Sequence, residues 1–142
     1  MNPATFLKIG GIVLIAVGVL GLIGIIGPTA ESSIFGSTWW FDNAENWAHI
    51  VLGIVALIVV FALKGFQKIV TLVVGILGVV VGIWGFVLGA NFFGAGLETL
   101  DNLLHLVIGL WALWSWKNAK EAGMPMAMPQ RPPMGPMGPT GM

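Results

Sequence analysis

Two short stretches hold most of the residues in this sequence that could do chemistry. Residues 42–53 read DNAENWAHIVLG and residues 98–109 read ETLDNLLHLVIG. Both follow the pattern acid-x-x-acid-Asn-x-x-His-x-x-x-Gly. Asp42 pairs with Glu98, Glu45 with Asp101, Asn46 with Asn102, His49 with His105 and Gly53 with Gly109, and every pair is 56 positions apart. Ala56 and Ala112 extend the match, and His49 and His105 are the only two histidines. The spacing places each set on one face of a helix.

Three kinds of chemistry fit such stripes. The first is structural: Asn and His hydrogen-bond across helices or to loop backbone, and the acids cap helix starts. Asp42 with Glu45 fits an N-cap with an acid at N3, and acids suit the positive end of a helix dipole. The second is ligation. His49 and His105, flanked by Asn46 and Asn102, could hold a haem iron axially or a chlorophyll-type pigment. With Glu45 and Asp101 they could bind a divalent metal such as zinc, because imidazole suits zinc, copper and iron. Acids one turn away can orient a ligating ring. The third is proton or ion handling, since carboxylate–His chains in membranes relay protons. Thr71 is the main polar residue in the other half of the apolar blocks, so no complete path across is visible. No serine, lysine or cysteine stands beside the histidines as a nucleophile, which argues against an enzyme.

These stripes must sit on elements, and the composition says which. Of 142 residues, 57% are hydrophobic and 8% charged, where a soluble domain carries about 25% charged residues. The apolar residues fall in blocks at about 6–26, 44–63, 69–90 and 97–116. A block near 20 residues matches a hydrocarbon core about 30 Å thick, and backbone in hydrocarbon must be helical or in a closed barrel. The alternation a barrel needs is absent. The reading is therefore an all-α membrane protein, with a four-helix transmembrane domain over residues 1–121. The first block is too long for a secretory h-region, and Pro28 sits where a cleavage site wants a small residue, so it is read as a retained span.

Charge orients the spans. The six basic residues are Lys8, Lys64, Lys68, Lys117, Lys120 and Arg131. They flank the spans on one side, while Glu31, Asp42, Glu45, Glu98 and Asp101 fall towards the other. The positive-inside rule places both termini in the cytoplasm. Trp39, Trp40 and Trp47 would then mark the outer interface, and Trp114 and Trp116 the inner one. At 1.5 Å per residue, His49 stands about 21 Å above Leu63 and His105 about 16 Å above Trp116, in the outer half. With no net charge, nothing in the balance suggests a nucleic-acid partner. The absence of cysteine removes disulfide and thiolate chemistry.

Helices 1 and 3 match as helices 2 and 4 do. Gly11, Gly18 and Gly21 correspond to Gly75, Gly82 and Gly85 at an offset of 64. The expected bundle is two parallel helix-pair repeats whose acid–Asn–His faces oppose each other. Gly75, Gly78, Gly82, Gly85 and Gly89 form one stripe on helix 3, and Gly53 and Gly109 belong to the facing stripes. Small residues let helices approach closely in lipid. The stripe predicts packing within the chain or, alternatively, a seam for a homo-oligomer or a larger membrane complex.

Residues 122–142 are rich in Pro, Met and Gly, which predicts a flexible cytoplasmic tail. Thioethers at Met124, Met126 and Met128 could bind Cu(I), and the Gly135, Gly138, Gly141 period is too short for a collagen triple helix.

DNLLHLVIG at 101–109, with the related NWAHIVLG at 46–53, resembles a family of small four-pass bacterial membrane proteins known only as a domain of unknown function. The resemblance covers roughly residues 5–117. It implies a four-helix membrane protein, in a bacterial plasma membrane, with paired positions at Asn46, His49, Asn102 and His105. It implies no activity. The expected function is a non-enzymatic structural or accessory subunit of a membrane assembly, with cofactor or metal binding by His49 and His105 as the alternative and proton or ion handling as a second.

Overall fold

The computed structural model describes residues 1–89, 91–92, 95–96 and 98–122. Four helices follow one another: α1 (Pro3–Leu22), α2 (Asn43–Phe61), α3 (Gln67–Val87) and α4 (Thr99–Ala122). Two-residue strands Asn91–Phe92 and Ala95–Gly96 pair antiparallel in the connection before α4. Among the described residues, α1, α2 and the segment Lys64–Val87 are long and apolar enough to cross a membrane. α4 is not among them, because Asp101, Asn102, His105, Ser115 and three tryptophans dilute its apolar residues. α3 is rich in valine and glycine, both poor helix formers in water. Its helicity suits a solvent in which every backbone group must find an internal partner. The Met-rich tail, with Met124, Met126 and Met128, lies outside the described residues, as do Ala90, Leu97 and Arg131.

The helix ends differ from the hydropathy blocks, and each difference has a local cause. α1 stops at Leu22 rather than near residue 26, because Gly24 takes a φ of +85° and so ends the helix as a left-handed residue. Ile23–Ile26 then enter the loop, where Ile26 is buried. α3 likewise stops at Val87, and Gly89 (φ +109°) lies beyond the helix, so it is not part of the glycine stripe. α1 starts early because Asn2 accepts from the Thr5 N–H at 2.9 Å and Pro3 occupies the first turn, a preferred cap arrangement. α4 starts later than residue 97 and runs on to Ala122.

α1 packs along α2 and α3 along α4, each pair antiparallel and in close contact over most of its length. The two pairs meet more sparsely, through α1 against α3 and α4. At the end holding the α1 start, Phe6, Leu7, Ala56, Val59, Val60 and Ala112 form a buried cluster, with Phe6 edge-on to Trp111 at 5.0 Å between centroids. Lys8 and Lys64 line a shallow groove at that same end, with Gln67. The starts of α2 and α4, with their acids, lie at the opposite end.

Candidate functional site

The α2 stripe begins with a capping box. The Glu45 N–H donates to Asp42 Oδ1 at 2.8 Å, and the Asp42 N–H donates to Glu45 Oε2 at 2.9 Å, satisfying two amides that a helix start leaves free. α4 repeats half of this, as the Glu98 N–H donates to Asp101 Oδ2 at 3.1 Å. Each acid end is also held by the other helix pair. The Trp39 indole N–H, from the α1–α2 loop, donates to Asp101 Oδ1 at 2.7 Å. The Gly96 N–H, from the α3–α4 connection, donates to Asp42 Oδ2 at 2.9 Å. Trp39 is therefore turned inward, whereas Trp47 and Trp114 are exposed. The long loop is tied to itself: Ser33 Oγ–H donates to the Trp39 carbonyl at 2.7 Å, and the Phe41 N–H to the Ile26 carbonyl at 2.9 Å.

The asparagines lie one turn deeper. Asn46 is fully buried and Asn102 nearly so. Asn46 Nδ2–H donates to the Phe41 carbonyl at 3.2 Å, which ties the loop to α2. Its Oδ1 has no N–H or O–H donor among the described residues, and neither does Asn102 Oδ1. Each oxygen rests against a glycine of the neighbouring helix, Gly21 for Asn46 and Gly85 for Asn102, where a Cβ would overlap the amide. A glycine Cα–H is a weak donor, and only glycine leaves room for the contact.

The seam continues along both pairs in the same register. A Cβ at Gly11 would meet Leu57 at 3.1 Å, and one at Gly75 would meet Leu113 at 2.7 Å. Gly18 faces the Asn46 carbonyl and Ile50, and Gly82 faces the Asn102 carbonyl and Leu106. Gly53 faces the Gly11 carbonyl and Ile15, and Gly109 faces the Gly75 carbonyl and Val79. Gly78 adds a contact of its own, with Gly109 Cα at 2.9 Å from its ideal Cβ. The glycine stripes thus face the partner helix inside each pair.

The histidines are partly buried. His49 Nδ1–H donates to the Glu45 carbonyl at 2.7 Å, and His105 Nδ1–H to the Asp101 carbonyl at 2.8 Å. A carbonyl only accepts, so Nδ1 carries the proton in both rings and the neutral imidazole keeps its lone pair on Nε2. The expectation that these rings bond across helices or to a loop is not met, because each holds its own helix one turn back. Phe41 stands edge-on to His49 at 5.1 Å.

Three carboxylates of the two stripes come together. Oxygens of Glu45, Glu98 and Asp101 lie within 4.8 Å of one another, and among the described residues no group as tight includes a histidine. Glu98 is the member that sequence reasoning did not put in the set. The two stripes therefore meet at their acid ends, while α2 and α4 share little direct packing below. In the other half, Thr71 is fully buried with its hydroxyl on the Gln67 carbonyl at 2.8 Å. Ser115, also fully buried, was overlooked because a lone serine among tryptophans carries no periodic signal. No family model matches the chain, nor does any curated protein or solved structure.

Proposed function

We propose that this chain is a four-pass integral membrane protein, two copies of one helix pair related by an axis near the membrane normal, that serves as a non-enzymatic structural or accessory subunit. α4 is the fourth span, and both termini lie in the cytoplasm of a bacterial cell. The family of small four-pass proteins suggested by the Asn-x-x-His-x-x-x-Gly motifs fits this architecture. The repeated seam supports the repeat, since every glycine contact of α1 on α2 has its counterpart in α3 on α4 at offsets of 64 and 56. Segregation of lysines and carboxylates to opposite helix ends supports the orientation.

One observation carries the accessory reading: much of the polar stripe is engaged by the fold itself. Asp42 and Asp101 cap and clamp, the asparagines wedge against glycines, and both histidines bond backbone. Native electrophoresis of gently solubilised membranes tests it. The chain should migrate in a complex larger than its purified form, and His49→Ala and His105→Ala should leave that complex intact. Migration as the free chain alone would remove the reading.

The anchoring of each ring through Nδ1 favours one second reading. A ligating histidine usually anchors its other nitrogen on a carbonyl or carboxylate, and both rings here do so. Haem, a chlorophyll-type pigment or a divalent metal on His49 and His105 would give a Soret or chlorin band, or stoichiometric metal, lost in His49→Ala. A colourless, metal-free protein unchanged by His105→Ala would end it.

A further inference from the structure

We propose that Glu45, Glu98 and Asp101 form a hard divalent-cation site, of calcium size, that joins the two helix pairs at their acid end. Glu45 belongs to the first pair and the other two to the second. Glu45 is 4% exposed and Asp101 1% exposed. The charges that reach Glu45 come from Asp42, Glu98 and Asp101, all acids. Among the described residues Lys8 and Lys64 stand at the other helix ends, and the basic groups nearest the cluster are His49 and His105, one turn below. Buried charges of one sign need a counter-ion or protons.

A second observation distinguishes the cluster from a mere run of acids. Glu45 Oε1 and Glu98 Oε2 are buried and have no hydrogen-bond partner. The other Glu45 oxygen is held by the Asp42 N–H, and both Asp101 oxygens are held by N–H donors. Glu45 and Asp101 are thus fixed in place, and Glu45 and Glu98 each keep a free oxygen. Ligand oxygens on opposite sides of a calcium ion are about 5 Å apart at metal–oxygen distances of about 2.4 Å. One oxygen from each of the three groups lies within 4.8 Å of the others, close enough to share an ion of that size. An all-oxygen donor set suits Ca²⁺ and Mn²⁺ rather than softer metals. Glu98 is only half-buried, which leaves a side open for entry and for water ligands. The ligand set includes neither histidine, although both rings bond the backbone of Glu45 and Asp101, and it does not depend on the accessory reading.

The test uses the full chain in uncharged detergent, stripped with a chelator and titrated with Mn²⁺, following the free-ion EPR signal at pH 7.5. One saturable Mn²⁺ per chain is expected, displaced by Ca²⁺, with affinity in about the 0.1–1 mM range of open extracellular sites. Glu45→Gln and Glu98→Gln should each weaken binding about tenfold or more. Lys64→Gln, at the other end, should leave it unchanged. Bound Mn²⁺ should also quench Trp39, which touches Asp101, so part of the quenching seen in the parent should be missing in Trp39→Phe. That measurement stands even if a Gln variant does not fold. Absence of saturable binding through the millimolar range overturns the proposal and leaves protons as the balancing charge. So does binding undiminished in both Gln variants, or quenching identical in Trp39→Phe.

Discussion

The interface inside each helix pair and the interface between the pairs are built on different principles. Inside a pair, glycines let two backbones run in contact along most of the helix, and the associating force is close packing. Between the pairs, packing is sparser and includes an apolar cluster around Phe6 and Trp111 at one end and polar clamps around Asp42 and Asp101 at the other. The pair is therefore the more closely packed unit.

The hardest way to break that contrast is to wedge a pair apart. Gly82→Leu places a branched side chain where a single Cβ would already come within 2.7 Å of the Asn102 carbonyl and of Leu106. We expect a loss of about 4 kcal/mol or more, seen as aggregation in detergent or a collapsed thermal transition. A variant that elutes and melts like the parent would show that the seam does not hold the pair.

A finer cut addresses the asparagine wedge. Gly85→Ala drives a methyl group into the Asn102 amide, and we expect about 2–3 kcal/mol of destabilisation. Gly21→Ala should do the same to Asn46, because the contact is repeated there. Adding Asn102→Ala to Gly85→Ala should recover part of the loss, giving a favourable coupling in a double-mutant cycle. Simple additivity would mean that glycine and asparagine do not interact.

The contact between pairs should yield to a smaller change. Trp39→Phe keeps the ring but removes the donor on Asp101 Oδ1. A buried charged acceptor that loses one donor costs about 1.5–3 kcal/mol. Near-ultraviolet circular dichroism should change while helix content stays constant, because the pairs remain intact. Loss of helix content instead would show that pairs and clamps fold as one unit.

The difference between the two interfaces also decides what could be read in advance. The seam was legible because it is periodic: Gly, Asn and His recur at helical spacing and again 56 or 64 residues on. The clamps were not. Trp39 and Gly96 sit in irregular loops, where a tryptophan near a span end reads as a membrane anchor and a glycine as a turn. Glu98 joins Glu45 and Asp101 only once the two pairs lie side by side, and no spacing within one helix encodes that. Helix ends were blurred because hydropathy counts Ile23–Ile26 as span, whereas Gly24, by its conformation, takes the chain out of the helix.

The smallest effect is expected where the sequence pointed most strongly. His49 and His105 bond carbonyls of their own helices, at Glu45 and Asp101, and a partly exposed, local bond of this kind contributes only about 0.5–1 kcal/mol. His49→Ala and His105→Ala should therefore melt within about 1 kcal/mol of the parent, measured separately and together. A deficit several times larger, present only in protein drawn directly from membranes and absent after extensive dialysis, would mean that the rings hold something the dialysis removes. The size of that deficit then separates a histidine that supports its own helix from one that supports a ligand between the two pairs.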